Sequence, residues 1–201
     1  MDFTYKKKYI EINDKKLTNL DKFALEFLGI LNKHANYVLV SGYISILFGR
    51  NRTSEDVDVL VEKLDLEKFK HLWDEFLSKK FECINTNKAE AAYHNYLSEN
   101  VAIRFSKKST FIPNVEFKFP KVDLDYWTLR ERKKILLNER YELMTSPLEL
   151  QIPFKLFLGS EKDIEDAKHL YKLFKDYLDI DLLDDFNQKL KTKELFKRYL
   201  S

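Results

Sequence analysis

The segment from Tyr37 to Val61 constrains this fold more than any other. Tyr-Val-Leu-Val (37–40) is a short apolar run of strand type, followed directly by Ser41-Gly42. Tyr43–Phe48 (YISILF) reads as a short buried helix, with Ser41 placed to cap its start and Gly49 to end it with a left-handed residue. A polar loop over 50–55 leads to a second strand, Asp56–Val61. Its alternation is clean, with Val57, Val59 and Val61 on one side and Asp56 and Asp58 on the other. The chain has only 4 glycines in 201 residues, far below the usual ~7%, yet two of them, Gly42 and Gly49, fall here. Strand, tight turn, short helix and strand in this order demand a sheet.

The same segment carries chemistry. Carboxylates at i and i+2 of a strand project from one face, a few ångströms apart, and they repel unless something compensates. A hard divalent cation does so: Mg²⁺ takes oxygen ligands, usually one or two carboxylates together with substrate phosphates. The turn before the short helix offers the complementary half. Gly42 permits close backbone approach, and free N–H groups at a helix start attract phosphate. Together these features point to a nucleoside triphosphate with its metal.

Along the rest of the chain, a strand is expected at Tyr9–Ile12 and a helix from Asn19 to about Ala35, where Phe23, Ala24, Phe27, Leu28 and Leu31 recur at helical spacing. Asp65 caps a helix over 66–79. A strand over 81–85 precedes Asn87-Lys88-Ala89-Glu90, a capping-box pattern opening a helix to Ser98. Strands follow at Val101–Ser106 and Val115–Phe119, the second with Glu116 and Lys118 on its polar side. Beyond Pro120 the pattern is mostly helical, interrupted by a hairpin over 135–144. Pro153 predicts a kink or a helix start. The expectation is an α+β chain with a mixed sheet flanked by helices over 1–120 and a mainly helical region over 121–201.

Composition excludes several classes. A hydrophobic content of 44% with 14% aromatics supports a sizeable core rather than disorder. The net charge of +2 names no partner, and the single Cys83 excludes a disulfide framework within the chain. No HExxH spacing occurs. No apolar run nears the roughly 18 to 20 residues of a membrane span, and the charged start MDFTYKKKYIEIND has no signal-peptide core, so the expected setting is cytoplasmic. The basic runs 130–134 and 189–198 are interleaved with acids and read as helix exteriors. Phe154 and Phe157 read as core.

SGYISILFGRNRTSEDVDVLV resembles the signature of the nucleotidyltransferase fold of the DNA polymerase β superfamily, above all its AbiEii-like members. Gly42, Tyr43, Gly49, Arg52, Ser54, Asp56 and Asp58 fall on that pattern. Ser41 replaces the first glycine of the pair, and Ile44 replaces the alanine that usually follows. A second stretch, SPLELQIPFKLFLGSEKDIEDAKHLY, resembles the C-terminal motif of the same group, with Lys155, Lys162, Asp163 and Asp166 in place and the usual arginine before Lys-Asp missing. The resemblance implies a nucleotidyltransferase fold in which Asp56 and Asp58 hold Mg²⁺ and a later carboxylate, for which Glu116 is the candidate, completes the site. Ser41 and Gly42 would meet the triphosphate, with Arg52, Ser54 and Lys155 also at the nucleotide. Asp163 and Asp166 would position or activate. The implied reaction moves a nucleoside monophosphate from an NTP to a hydroxyl on RNA, typically tRNA, or on a partner protein, in a toxin–antitoxin or defence setting. Two plainer readings stand beside it: a nucleotide- or RNA-binding module without turnover, and Ser160-x-x-Asp163 as a simple helix cap.

Overall fold

Val57, Val59 and Val61 are completely buried, as the alternation of their strand requires, and the elements around them follow from finding cover for such faces. The computed structural model describes residues 2–6 and 9–200. In chain order it contains β1 (Asp2–Lys6), β2 (Tyr9–Asn13), α1 (Asn19–Leu31), β3 (Tyr37–Val40), α2 (Gly42–Leu47), β4 (Asp56–Val61), α3 (Leu66–Ser78), β5 (Phe81–Cys83) and α4 (Ala89–Asn95). Then come β6 (Ile103–Lys107), β7 (Asn114–Lys118), α5 (Asp123–Arg130), β8 (Lys133–Leu137), β9 (Tyr141–Thr145), α6 (Leu148–Leu158), α7 (Glu161–Phe174), α8 (Ile180–Lys189) and α9 (Lys193–Leu200). Among the described residues, nine strands form one mixed sheet in the order β1-β2-β8-β9-β3-β4-β7-β6-β5. The β2–β8, β3–β9 and β4–β7 pairs are parallel. The chain is α+β, with its helices flanking the sheet and gathered toward the C-terminus. No described helix is long and apolar enough to cross a membrane.

One face of the β4–β7–β6 region is packed by aromatic residues. Phe27 of α1 stacks on Phe76 of α3 with ring centroids 4.2 Å apart, and Phe105 meets Phe76 at 4.9 Å. The valines of β4 and Phe117 of β7 belong to the same core. That burial leaves the opposite face to the polar positions, and its Val38 and Leu60 end packs against Leu129 of α5.

Several expectations need correction. The boundary near residue 120 runs through the one sheet: β8 and β9 lie between β2 and β3. Ile135, Leu137 and Leu143 are buried beside Ile10 and Ile12, so the hairpin needs β2 as a neighbour and does not stand apart from the first half. The all-helical part begins at Leu148. The capping box at 87–90 does not form; Lys88 occupies the cap position without a side-chain bond. Pro153 neither starts a helix nor ends one, because α6 runs from Leu148 to Leu158 with the proline inside. Phe157 is exposed, on the outer side of α6. β1 is an additional strand at the sheet edge, short and without a fully buried residue.

α1 is anchored at its start by Thr18 and Asp21, each side chain bonding the other's backbone N–H. Asp21 is wholly buried. Its Oδ2 accepts from Lys15 Nζ at 2.8 Å and from the Thr18 backbone at 2.9 Å, and its Oδ1 accepts from the Tyr43 hydroxyl at 2.9 Å. One carboxylate therefore locks α1 to α2. Burial acts to raise the Asp21 carboxyl, but the Lys15 ammonium and the Thr18 donors outweigh it, and the group sits below the usual carboxylate range. A depressed folded pKa gives stability that is present above the unfolded pKa and lost as pH falls through the folded one. Asp21→Asn is expected to cost about 3 kcal/mol at neutral pH, since it leaves Lys15 buried without a counter-charge. Urea denaturation of the two proteins should show that gap closing as the pH is lowered through the carboxylate range.

Candidate active site

β3 ends at Val40, which lies opposite Asp58 of β4. The next residue, Ser41, has φ 65° and ψ −141°, a left-handed backbone that costs a non-glycine residue roughly 1–3 kcal/mol. It occupies the cap position of α2 but forms no side-chain cap, contrary to the sequence expectation, because its hydroxyl lies against the Asp58 carboxyl instead. The strained corner is held from α6. Gln151, almost fully buried, donates from Nε2 to the Ser41 carbonyl at 3.0 Å, and its Oε1 accepts from Ser146 at 2.9 Å. Gln151 was missed by the sequence reading; its only signal is an amide inside the apolar run LELQIPF. Gly49 ends the helix with φ 91°, as expected.

Asp56 and Asp58 project from the polar face of β4. The parallel register with β7 places Asp56 opposite Asn114 and Asp58 opposite Glu116. The third carboxylate of the sequence reading therefore stands directly beside the Asp-x-Asp pair. Asn114, buried, donates from Nδ2 to Asp56 Oδ1 at 2.8 Å, while its own Oδ1 is buried without a hydrogen-bond partner. Ser54 donates to the Asp56 carbonyl at 3.1 Å, so its hydroxyl shapes the entry to β4. Glu116 is held by two cations, Arg104 at 3.1 Å and Lys118 at 3.8 Å. Burial pushes the Asp58 carboxyl up; Lys118 and Ser41 pull it down, whereas Glu116 and Asp56 push it further up, and the balance is a raised pKa. A carboxyl so placed favours a cation as partner.

The oxygen-only donor set suits Mg²⁺. Asp56 and Asp58 share a face, and the orphaned Asn114 oxygen lies beside them. Among the described residues, however, no three acidic, His or Cys side chains are grouped to hold a metal ion, because Glu116 is turned to Arg104 and Lys118. The Asp56–Asp58 pair is thus the part that fits. Beside Val40, the strand partner of Asp58, a cavity opens between the sheet, α5 and α6, its apolar wall formed by Val40, Leu60, Leu124, Leu150 and Phe154 and its polar groups including Lys118 and Asp125.

The second motif folds against the first. Lys155 of α6 is 1% exposed. Its Nζ lies 2.6 Å from Asp163 and 3.0 Å from Asp166 of α7. Asp166, wholly buried, also pairs with Arg50 and, at 3.1 Å, with Arg52. Asp163 serves a cap as well: its N–H donates to Ser160 Oγ at 3.2 Å. Three cations face two carboxylates, leaving one positive charge in excess. α7 reaches this position by packing on α2, where His169 Nε2 lies 3.0 Å from the Phe48 carbonyl and Phe174 meets Phe48 edge-on at 4.8 Å.

Arg52 joins the two motifs. A β-carbon on Gly42 would stand 2.1 Å from an Arg52 guanidinium nitrogen, so Gly42 is needed here for the space above it. Gly42→Ala requires the Arg52 guanidinium to shift and weakens its pair with Asp166, at an expected cost of about 1 kcal/mol, no more than that of Arg52→Ala. The double variant should cost little more than either single one, since contacting residues couple by about 0.5–3 kcal/mol. Guanidinium denaturation of the four proteins measures this cycle.

No protein-family model matches the sequence, and no curated protein matches it. Among solved structures the chain is similar to an antigenic nucleotidyltransferase-like protein from Paracoccidioides brasiliensis. The two share 18% identity over 89% of this chain and 90% of that one, with a TM-score of 0.47. It is also similar to JHP933 from Helicobacter pylori, at 17% identity over 92% of this chain and 81% of that one, with a TM-score of 0.48. Likenesses of this size carry no residue's role across.

Proposed function

We propose that this chain is a Mg²⁺-dependent nucleotidyltransferase of the DNA polymerase β-like fold, moving a nucleoside monophosphate from an NTP to an acceptor hydroxyl with release of pyrophosphate. The observation that supports it best is the register of β4 on β7, which sets Asp58 beside Glu116 at the mouth of the Ser41-Gly42 turn. Asp56 and Asp58 would hold the ion, and Glu116 would join them once released from Arg104. When bound, the ion supplies charge neutralisation at the α-phosphate and a lower pKa for the acceptor hydroxyl. The chain's own contribution is positioning. Ser41 and Gly42 line the approach of the triphosphate, and Arg50, Arg52 and Lys155 supply the surplus positive charge that phosphate oxygens require. Asp163 and Asp166 keep those cations aligned. The cavity beside Val40 offers a place for the nucleobase. An AbiEii-like role in a cytoplasmic toxin–antitoxin or defence pair, with tRNA or a protein as acceptor, belongs to the same proposal.

A second reading, a nucleotide- or RNA-binding module without turnover, is favoured by one observation: Glu116 is ion-paired with Arg104 and Lys118 and not grouped with the aspartates. Thermal melts with ATP, CTP, GTP and UTP, with and without Mg²⁺, test the binding site that both readings share. Ligand binding only the native state at a hundredfold excess over Kd adds roughly 2 to 3 kcal/mol. The expected outcome is a Mg²⁺-dependent rise for one NTP that disappears in Asp58→Ala. No rise with any NTP overturns the proposal. Transfer of label from that NTP to acceptor then separates turnover from binding, and Glu116→Gln should abolish transfer while keeping most of the melt shift.

A further inference from the structure

Residues 108–113 connect β6 to β7 beside Asp56, and they display two large apolar side chains to solvent. Phe111 is 74% exposed and Ile112 54%; among the described residues no large hydrophobic side chain is more exposed than Phe111. The loop is fixed in place. Its Thr110 N–H donates to the Lys107 carbonyl at 2.9 Å, Lys108 N–H donates to the Lys80 carbonyl at 2.8 Å, and Ser106 Oγ donates to the Thr110 carbonyl at 2.5 Å. The Asn114 amide donates to the Phe111 carbonyl at 3.4 Å and to Asp56 Oδ1 at 2.8 Å. One side chain thus ties the position of Phe111 to that of the proposed metal-binding carboxylate. An aromatic ring held out in water by a pinned loop gains nothing for the fold, and it is preorganised for a flat partner.

The charges around the loop favour a polyanion. Lys108 is well exposed and only loosely paired, at 3.7 Å, with Glu82; Arg104, half-exposed on the polar face of β6, and Lys118 share the single carboxylate of Glu116, so three cations face two carboxylates. An exposed ring flanked by cations is the combination that binds single-stranded nucleic acid, with bases on the aromatic face and phosphates on the cations. We propose that the β6–β7 loop is the acceptor platform: the terminal base of a single-stranded RNA stacks on Phe111, with Ile112 against its edge, and its phosphates lie along Lys108 and Arg104. The proposal rests on the transferase reading above, since it places the RNA end next to Asp56.

Fluorescence anisotropy of a short labelled single-stranded RNA tests it on the full chain, with the Mg²⁺–NTP melt shift measured in parallel. Phe111→Ala should weaken RNA binding by about tenfold, the worth of one base stacked on an aromatic ring. Phe111→Trp should keep it, and Lys108→Ala should flatten its salt dependence. Equal RNA affinity for wild type and Phe111→Ala overturns the platform. So does a wild-type chain that gives the NTP shift but binds no RNA, a result that leaves the transferase with a protein acceptor. Phe111-dependent RNA binding without any NTP shift upholds the platform and removes the transferase reading instead.

Discussion

Like charges on one sheet face are the constraint around which this molecule is arranged. Asp56, Asp58 and Glu116 fall on the same side of two adjacent parallel strands because the other side must be Val57, Val59, Val115 and Phe117, all buried. Hydrophobic burial on one face therefore forces acidic crowding on the other. What surrounds the carboxylates answers that repulsion piece by piece: Asn114 on Asp56, the Ser41 hydroxyl at Asp58, and Arg104 and Lys118 on Glu116. At Asp58 burial is the larger influence, with Glu116 and Asp56 adding to it, and the carboxyl is raised above its ordinary value.

A second charge cluster stands over the turn that precedes the first. Arg50, Arg52 and Lys155 converge on Asp163 and Asp166, and the Arg52 guanidinium lies over Gly42 where the turn would receive a phosphate. A buried carboxylate with several cations is an ordered arrangement but a replaceable one, because phosphate oxygens offer the same cations equivalent partners. Arg52 thus lies over Gly42 while its guanidinium is paired with the buried Asp166. Gln151 completes the link, holding the Ser41 carbonyl from α6, so the helical end of the chain fixes the backbone of a turn more than 100 residues earlier.

Much of this was legible in local sequence. YVLV, the short helix closed by Gly49 and the DVDVLV alternation occur where their periodicities place them, because strand period and glycine chemistry are local properties. The place of Glu116 on the polar face of β7, opposite Asp58 in register, was also readable from the alternation of its strand. Ser41 as a helix cap was misread, since capping preference ignores a carboxylate arriving from the next strand. Gln151 and Asn114 were passed over because a lone amide carries no periodicity, and its importance appears only when its partners are known.

By itself the sequence determined which faces are apolar, where the chain must turn and which residue types share a strand face, all consequences of spacing along a single chain. Only the tertiary structure decided that the 133–145 hairpin belongs in the middle of the sheet, that Lys155 is buried between two aspartates and that Arg52 covers Gly42. Those are pairings between residues far apart in the chain. They are selected by the burial of apolar surface and the neutralisation of charge across the whole molecule, and no local pattern encodes either.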